Sequence, residues 1–189
     1  MTRFAAFLDG CVLVPVALTD TLLRLAEAGL FRPLWSQDVL EEATEAVAEI
    51  WPNELNGMRR RVAAMRKHFP DAMVDGWQPL VRGIHLPDPG DRHVIAAAVL
   101  GRADCVITSN LKDFPRHALE PLGLEAVSPD AFLLDQLDLA PSVTVRVVRA
   151  QAAATGQPPH LPLTPIDVLR AIELAGAPAF ANEMRHNFP

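Results

Sequence analysis

The sequence contains no tyrosine, and aromatic residues make up only 6% of it. So few ring faces weigh against the stacking platforms that hold single-stranded nucleic acid. Basic charge is not in excess either. The formal net charge is −6, which argues against nucleic-acid binding through overall charge but leaves room for a local basic patch. Cys11 and Cys105 are the only cysteines, with no Cys-x-x-Cys spacing. They are predicted to be reduced core residues of a cytoplasmic protein rather than redox or zinc groups. Apolar runs such as Ile95–Leu100 fall far short of the roughly 20 residues that span a membrane. The opening Met1-Thr2-Arg3-Phe4 predicts no signal peptide, because Asp9 interrupts the first apolar run. There is no internal repeat and no low-complexity tract.

What the chain does have is apolar content: half of its 189 residues, enough for one domain with a core and an appendage. Residues 4–8 read as a buried strand, followed by a helix over 13–29 with Gly29 at its C-cap. Pro33-Leu34-Trp35 reads as a short strand. Ser36 is an N-cap for a helix running to Ile50, with acidic residues favourably placed in its first turns. A helix over 53–69 turns Met58, Val62 and Met65 inward and Arg59, Arg60, Arg61, Arg66 and Lys67 mostly outward. A short strand is predicted near Val81–Leu86. Asp88-Pro89 starts an Ala-rich helix ending near Gly101. Strands follow at 104–108 and 124–127. Strands alternating with helices imply a parallel sheet covered on both faces.

Beyond Ser128 only helices are predicted. Ser128-Pro129-Asp130 caps the first, Pro141-Ser142 begins the second, and Thr164-Pro165-Ile166-Asp167 begins a third after a linker over 156–162. The apolar faces Val143, Val147, Val148 and Ile166, Leu169, Ile172, Leu174 require burial. The Pro158-Pro159 linker suggests that the last helices are separable. The domain division expected is 1–130 and 131–189.

Four acids mark the candidate site. Asp9 ends the first strand, Glu42 lies in the Ser36 helix, Asp91 opens the Ala-rich helix, and Asp113 follows the strand at 104–108. Ligands bind outside the carboxyl ends of strands in open parallel sheets. Carboxylates gathered there repel one another unless a hard cation such as Mg²⁺ or Mn²⁺ neutralises them. Each acid alone has an ordinary explanation, as a turn former, a solvated helix residue or a helix-dipole charge; the four in this order do not.

The layout over residues 4–132 resembles the PIN-domain ribonucleases, in particular the VapC-type toxins of bacterial toxin–antitoxin pairs. The pieces that carry it are the strand ending in Asp9, the Ser36…Glu42 helix, Asp88-Pro89-Gly90-Asp91, and Thr108-Ser109-Asn110-Leu111-Lys112-Asp113-Phe114. The resemblance implies an α/β, PIN-like three-layer fold: a central parallel sheet flanked by helices, plus a C-terminal all-helical extension. It makes Asp9, Glu42, Asp91 and Asp113 the catalytic set, with Asp9, Asp91 and Asp113 as metal ligands and Glu42 acting directly or through water. The first family position in the last motif holds Asn110, so either Asn110 or Asp113 fills the fourth place. Glu41 competes with Glu42, and the spacing of six from Ser36 favours Glu42. Asn110, Thr108 and Ser109 are supporting groups, the last two orienting a carboxylate or phosphate. Arg59, Arg60, Arg66 and Lys67 are candidates for RNA-phosphate contacts, since guanidinium binds phosphate bidentately. His85 and His93 are read as structural or exposed.

The implied activity is a Mg²⁺- or Mn²⁺-dependent endoribonuclease in the cytoplasm, without membrane contact, acting as a homodimer and controlled by a small cognate antitoxin. One competing reading is a degenerate PIN domain that binds RNA or protein, which Asn110 keeps open. The other is a haloacid-dehalogenase-like phosphatase, suggested by Phe7-Leu8-Asp9-Gly10. That chemistry needs a second Asp at position 11, where this chain has Cys.

Overall fold

The computed structural model describes residues 4–155 and 162–188. Its sheet has four parallel strands, β1 (Ala5–Leu8), β2 (Arg32–Leu34), β3 (Cys105–Ile107) and β4 (Glu125–Val127), in the order β2-β1-β3-β4. Phe7 pairs with Leu34 on one side and Val106 on the other. The two inner strands, β1 and β3, are buried along their whole length, which is why they read as continuous apolar runs rather than alternating ones. The chain passes from β1 to a neighbour on one side and later to β3 on the other. The carboxyl ends of β1 and β3 therefore flank a topological switch point, the place where such sheets open a crevice.

The described residues fall into two compact units. Those within Met1–Val14 and Phe31–Val127 make the first, and those within Pro15–Leu30 and Ser128–Pro189 the second. The first unit holds the sheet with α1 (Gly10–Leu13), α3 (Gln37–Ile50), α4 (Leu55–His68), α5 (Arg92–Leu100) and α6 (Arg116–Leu119). The second holds α2 (Val16–Glu27), α7 (Pro129–Leu139), α8 (Pro141–Thr155), α9 (Pro165–Leu174) and α10 (Pro178–Arg185). The fold is thus an α/β sheet domain of the expected kind, with a helical C-terminal region.

Local chemistry explains where elements begin and end. Ser36 and Ser128 accept from the backbone N–H three residues on, Asp88 accepts from Gly90, and Thr164 with Asp167 forms a capping box. Helix α2 ends with Gly29 at φ 86°. There Gly29 N–H donates to Ala26 and Leu30 N–H to Leu25, the paired closing bonds of a Schellman turn. The predicted helix over 13–29 is broken at Val14-Pro15, because proline lacks an N–H and disfavours helix in the residue before it. The predicted strand near Val81–Leu86 does not form. Gln78–Gly83 is a 3-10 helix started by Pro79, and the apolar alternation survives only as buried Ile84 and Leu86 in the loop after it. The single third helix expected after Thr164 is two, because Gly176 at φ 100° ends α9 and Pro178 opens α10.

Residues 156–161 of the linker lie outside the described residues. The helices after it pack within the second unit. Phe180 and Met184 of α10 are fully buried, and the Asp130 carboxylate of α7 accepts from the N–H groups of Ala179 and Phe180 at 3.1 and 2.8 Å. Leu169 and Ile172 are buried as their spacing predicts, whereas Leu174, at the end of its helix, is 89% exposed.

Gly101 closes α5 where its backbone meets two core side chains. An added methyl would lie 2.8 Å from Val74 Cγ2, 3.0 Å from Leu34 Cδ1 and 3.2 Å from the Ala97 carbonyl. Gly101→Ala is expected to destabilise the protein by about 1–3 kcal/mol through overpacking. A chemical-denaturation midpoint equal to the parent's would contradict that placement.

Candidate functional site

Asp9 leaves the end of β1 with its N–H bonded to the Ile107 carbonyl at 3.1 Å, extending the β1–β3 ladder by one step. Both of its carboxylate oxygens are engaged. Oδ1 caps α1 by accepting from Gly10 N–H at 2.7 Å, and Oδ2 accepts from Thr108 Oγ1 at 2.7 Å and from the Cys11 thiol at 3.2 Å. Thr108 is fully buried one residue past β3, and its hydroxyl also accepts from Asn110 N–H at 3.0 Å. One hydroxyl therefore ties the ends of two neighbouring strands together. Ser109 is present through its backbone, which donates to Cys11 Sγ at 3.3 Å.

The other acids approach from three directions. Glu42 projects from α3, which crosses α1 so closely that the Glu42 Cβ lies 3.8 Å from where a Gly10 side chain would begin. Its neighbour Glu41 instead accepts from Gln37 one turn earlier. Asp91 closes the 3-10 turn Pro89–Asp91 that leads into α5. Asp113 sits on the 3-10 turn Leu111–Asp113 and accepts from the Asn110 side-chain amide. Asp91 Oδ2 is buried without a hydrogen-bond partner. Burial, together with the charges of Asp9, Asp88 and Asp113, pushes the Asp91 carboxyl up to about 6, against a partial offset from His93. The fold therefore brings Asp9 and Asp113 within electrostatic reach of Asp91.

Two residues enter the site against expectation. Cys11 is not a core filler: the residue is exposed, and its sulfur is enclosed by Asp9, Thr108 and the Ser109 N–H. Burial and the Asp9 charge push its thiol up to about 11, so it stays neutral. Cys105 is buried as predicted. His93, read as structural or exposed, contacts Glu42 with Nε2 2.9 Å from Oε1. Burial disfavours its charged form, but Glu42, Asp38 and Asp9 outweigh that and its pKa is raised. Position 11 could have been suspected from sequence, since it lies in the first turn after the Asp9 cap. The His93–Glu42 pair depends on a helix crossing that no local signal reveals.

Of the basic run on α4, Arg59, Arg60, Arg66 and Lys67 are exposed. Arg66 is engaged with the Gln37 side chain. Arg61 is not outward: its guanidinium donates to the Leu13 and Val14 carbonyls at 2.7 and 3.2 Å, closing the end of α1.

The donor set suits a hard divalent cation, being composed of carboxylate oxygens with one of them, Asp91 Oδ2, buried and unpartnered. Among the described residues, no group of three or more His, Cys, Asp or Glu side chains is gathered so that it could hold a metal ion. A pH effect follows for the metal-free protein. A carboxyl whose folded pKa is raised supports the fold below its unfolded value near 3.8 and withdraws that support as pH rises through about 6. In chelator-containing buffer, the melting temperature of Asp91→Asn should therefore gain on the parent between pH 4 and pH 7. A constant difference would show that Asp91 carries no such strain.

A family model described as a PIN domain matches residues 5–112, and one described as the VapC50 C-terminal domain matches residues 129–186. The first span takes in Asp9, Glu42, Asp91 and Asn110, and stops one residue short of Asp113. "Putative ribonuclease VapC50" of Mycobacterium tuberculosis (strain ATCC 25618 / H37Rv) is 44% identical over 99 residues, which is 52% of this chain and 56% of that protein. The match thus spans little more than half the length of that relative. No solved structure is a significant match. Among the described residues, no helix is long and apolar enough to cross a membrane. With the PIN model covering more than half of it, the chain belongs to the PIN-domain family.

Proposed function

We propose that this protein is a divalent-metal-dependent endoribonuclease, with Asp9, Asp91 and Asp113 as ligands for Mg²⁺ or Mn²⁺ and Glu42 completing the catalytic set. The observation that carries the reading is the buried, unpartnered Asp91 Oδ2 beside two further carboxylates at the sheet's switch point. A bound divalent cation supplies charge neutralisation at the scissile phosphate and lowers the pKa of water at the site. The chain's own groups do the rest. Thr108 and Gly10 N–H hold Asp9 in one orientation, and the Asn110 amide holds Asp113. Glu42, half exposed, would meet the cation directly or through water. Arg59, Arg60 and Lys67, with Arg66 once released from Gln37, offer the positive surface that RNA phosphates need.

The similarity to a VapC-named relative supports a toxin role in which a small antitoxin covers the crevice. An acidic groove attracts an Arg or Lys side chain, which would occupy the cation's place and block cleavage. A homodimer acting in the cytoplasm belongs to the same proposal. The phosphatase reading gives way to PIN-family membership. The non-catalytic binding reading rests on Asn110 alone, while all four acids are present.

The test is RNA cleavage after metal removal. Chelated protein should leave single-stranded RNA intact, and Mg²⁺ or Mn²⁺ should restore cleavage to products with 5′-phosphate and 3′-hydroxyl ends. Cleavage that persists in chelator, or 2′,3′-cyclic phosphate products, would contradict the mechanism.

A further inference from the structure

Glu42 projects from α3 and Asp91 lies on the turn that opens α5, and one side chain, His93, links those two elements. His93 lies two residues after Asp91, in the first turn of α5. Its side chain is 13% exposed, and its Nε2 is 2.9 Å from Glu42 Oε1. Its ring packs on the Trp77 indole, with centroids 5.8 Å apart and planes inclined at 48°. Glu42 itself is 52% exposed, and His93 is the polar group that holds it among the described residues. A glutamate on an open helix face otherwise samples several rotamers, and fixing one costs side-chain entropy. The half-buried imidazole, packed on Trp77, restricts that freedom.

The other face of the imidazole supports the same assignment. His93 Nδ1 is buried and has no hydrogen-bond partner. A proton placed there would be an unsatisfied buried donor, so the N–H of the neutral ring belongs on Nε2, facing Glu42. The ring's orientation is therefore set by Glu42 and Trp77 together. Trp77 is buried, so the ring is anchored in the fold rather than in solvent.

We propose that His93 is a positioning residue, donating from Nε2–H to hold the Glu42 carboxylate over the crevice beside Asp9 and Asp91. Its chemical meaning rests on the ribonuclease reading above, whereas the clamp itself is a property of the metal-free protein. Partners that orient ligating or catalytic carboxylates typically alter metal affinity or activity 10–100-fold when removed.

A double-variant cycle tests it, using the full chain with His93→Phe, Glu42→Ala and both together. Phe keeps a ring against Trp77 but cannot donate. Two quantities are read: the melting temperature in chelator, and the affinity for Mn²⁺ alone by calorimetric titration. His93→Phe should weaken Mn²⁺ binding about tenfold in the parent background, and His93→Gln, which keeps an N–H donor, should recover part of that loss. In the Glu42→Ala background, His93→Phe should add no further weakening and should lower the melting temperature less than it does in the parent. Equal effects in both backgrounds would make His93 a packing residue and overturn the proposal. If His93→Phe does not fold, the cycle is run with His93→Gln, and equal effects of that variant in both backgrounds would likewise overturn it. A parent that binds no Mn²⁺ would sink the metal-dependent reading, and the melting-temperature cycle would then decide the clamp by itself.

Discussion

Asp91→Asn is expected to reduce RNA cleavage by roughly a hundredfold or more while raising the melting temperature of the metal-free protein. The substitution keeps the side chain's volume and removes one negative charge from a carboxyl strained by burial and by Asp9, Asp88 and Asp113. The lost electrostatic contribution is of the kind worth roughly 3 kcal/mol in transition-state stabilisation. Asp9→Asn should abolish cleavage too, but with the opposite effect on stability. Asp9 accepts hydrogen bonds on both oxygens, from Gly10 N–H on one side and from Thr108 and Cys11 on the other. An amide offers only one acceptor oxygen, so its NH₂ group must face a donor or force the Thr108 hydroxyl to turn. The pair is informative because loss of activity with opposite changes in melting temperature cannot come from global unfolding. Full cleavage by either purified variant, or a fall in melting temperature for both, would contradict the assigned roles.

Asp113 and Asn110 give the second large effect. Asp113→Ala is expected to lower turnover about a hundredfold or more, and Asn110→Ala about tenfold. The reason is geometric. The Asn110 amide donates to Asp113 while its backbone N–H is committed to Thr108, so Asn110 orients groups and Asp113 carries the charge felt at Asp91. Steady-state cleavage of one RNA oligonucleotide by both variants decides the order. A larger loss from Asn110→Ala would place the fourth ligand on the asparagine carbonyl.

Much of this site can be read from sequence because its positions are set by local rules. Asp9 follows an apolar strand, Ser36 and Asp88 cap the helical turns that carry or precede Glu42 and Asp91, and Thr108 follows another apolar strand. Each of those signals lies within a few residues of the group it positions. What local rules miss depends on contacts distant in sequence. The His93–Glu42 pair joins two helices, Arg61 folds back onto carbonyls nearly fifty positions earlier, and Cys11 meets Thr108 across the strand ends. The grouping of residues 15–30 with the C-terminal helices is likewise invisible to periodicity. Two departures from the expected elements have causes that are themselves local. Pro79 and Pro87 bracket the segment at 81–86 that forms no strand, and Gly176 followed by Pro178 marks the break between α9 and α10. In both places the backbone requirements of proline and glycine override apolar spacing.

The central claim is that the carboxylate crevice at the ends of β1 and β3 is the cation site. Anomalous diffraction from crystals soaked in Mn²⁺ tests it most directly, because it locates the ion without reference to activity. A peak is expected within about 2.0–2.3 Å of carboxylate oxygens of Asp9 and Asp91, with Asp113 in the same coordination sphere or one water removed. A peak elsewhere on the molecule, or an empty crevice at saturating Mn²⁺, would contradict it.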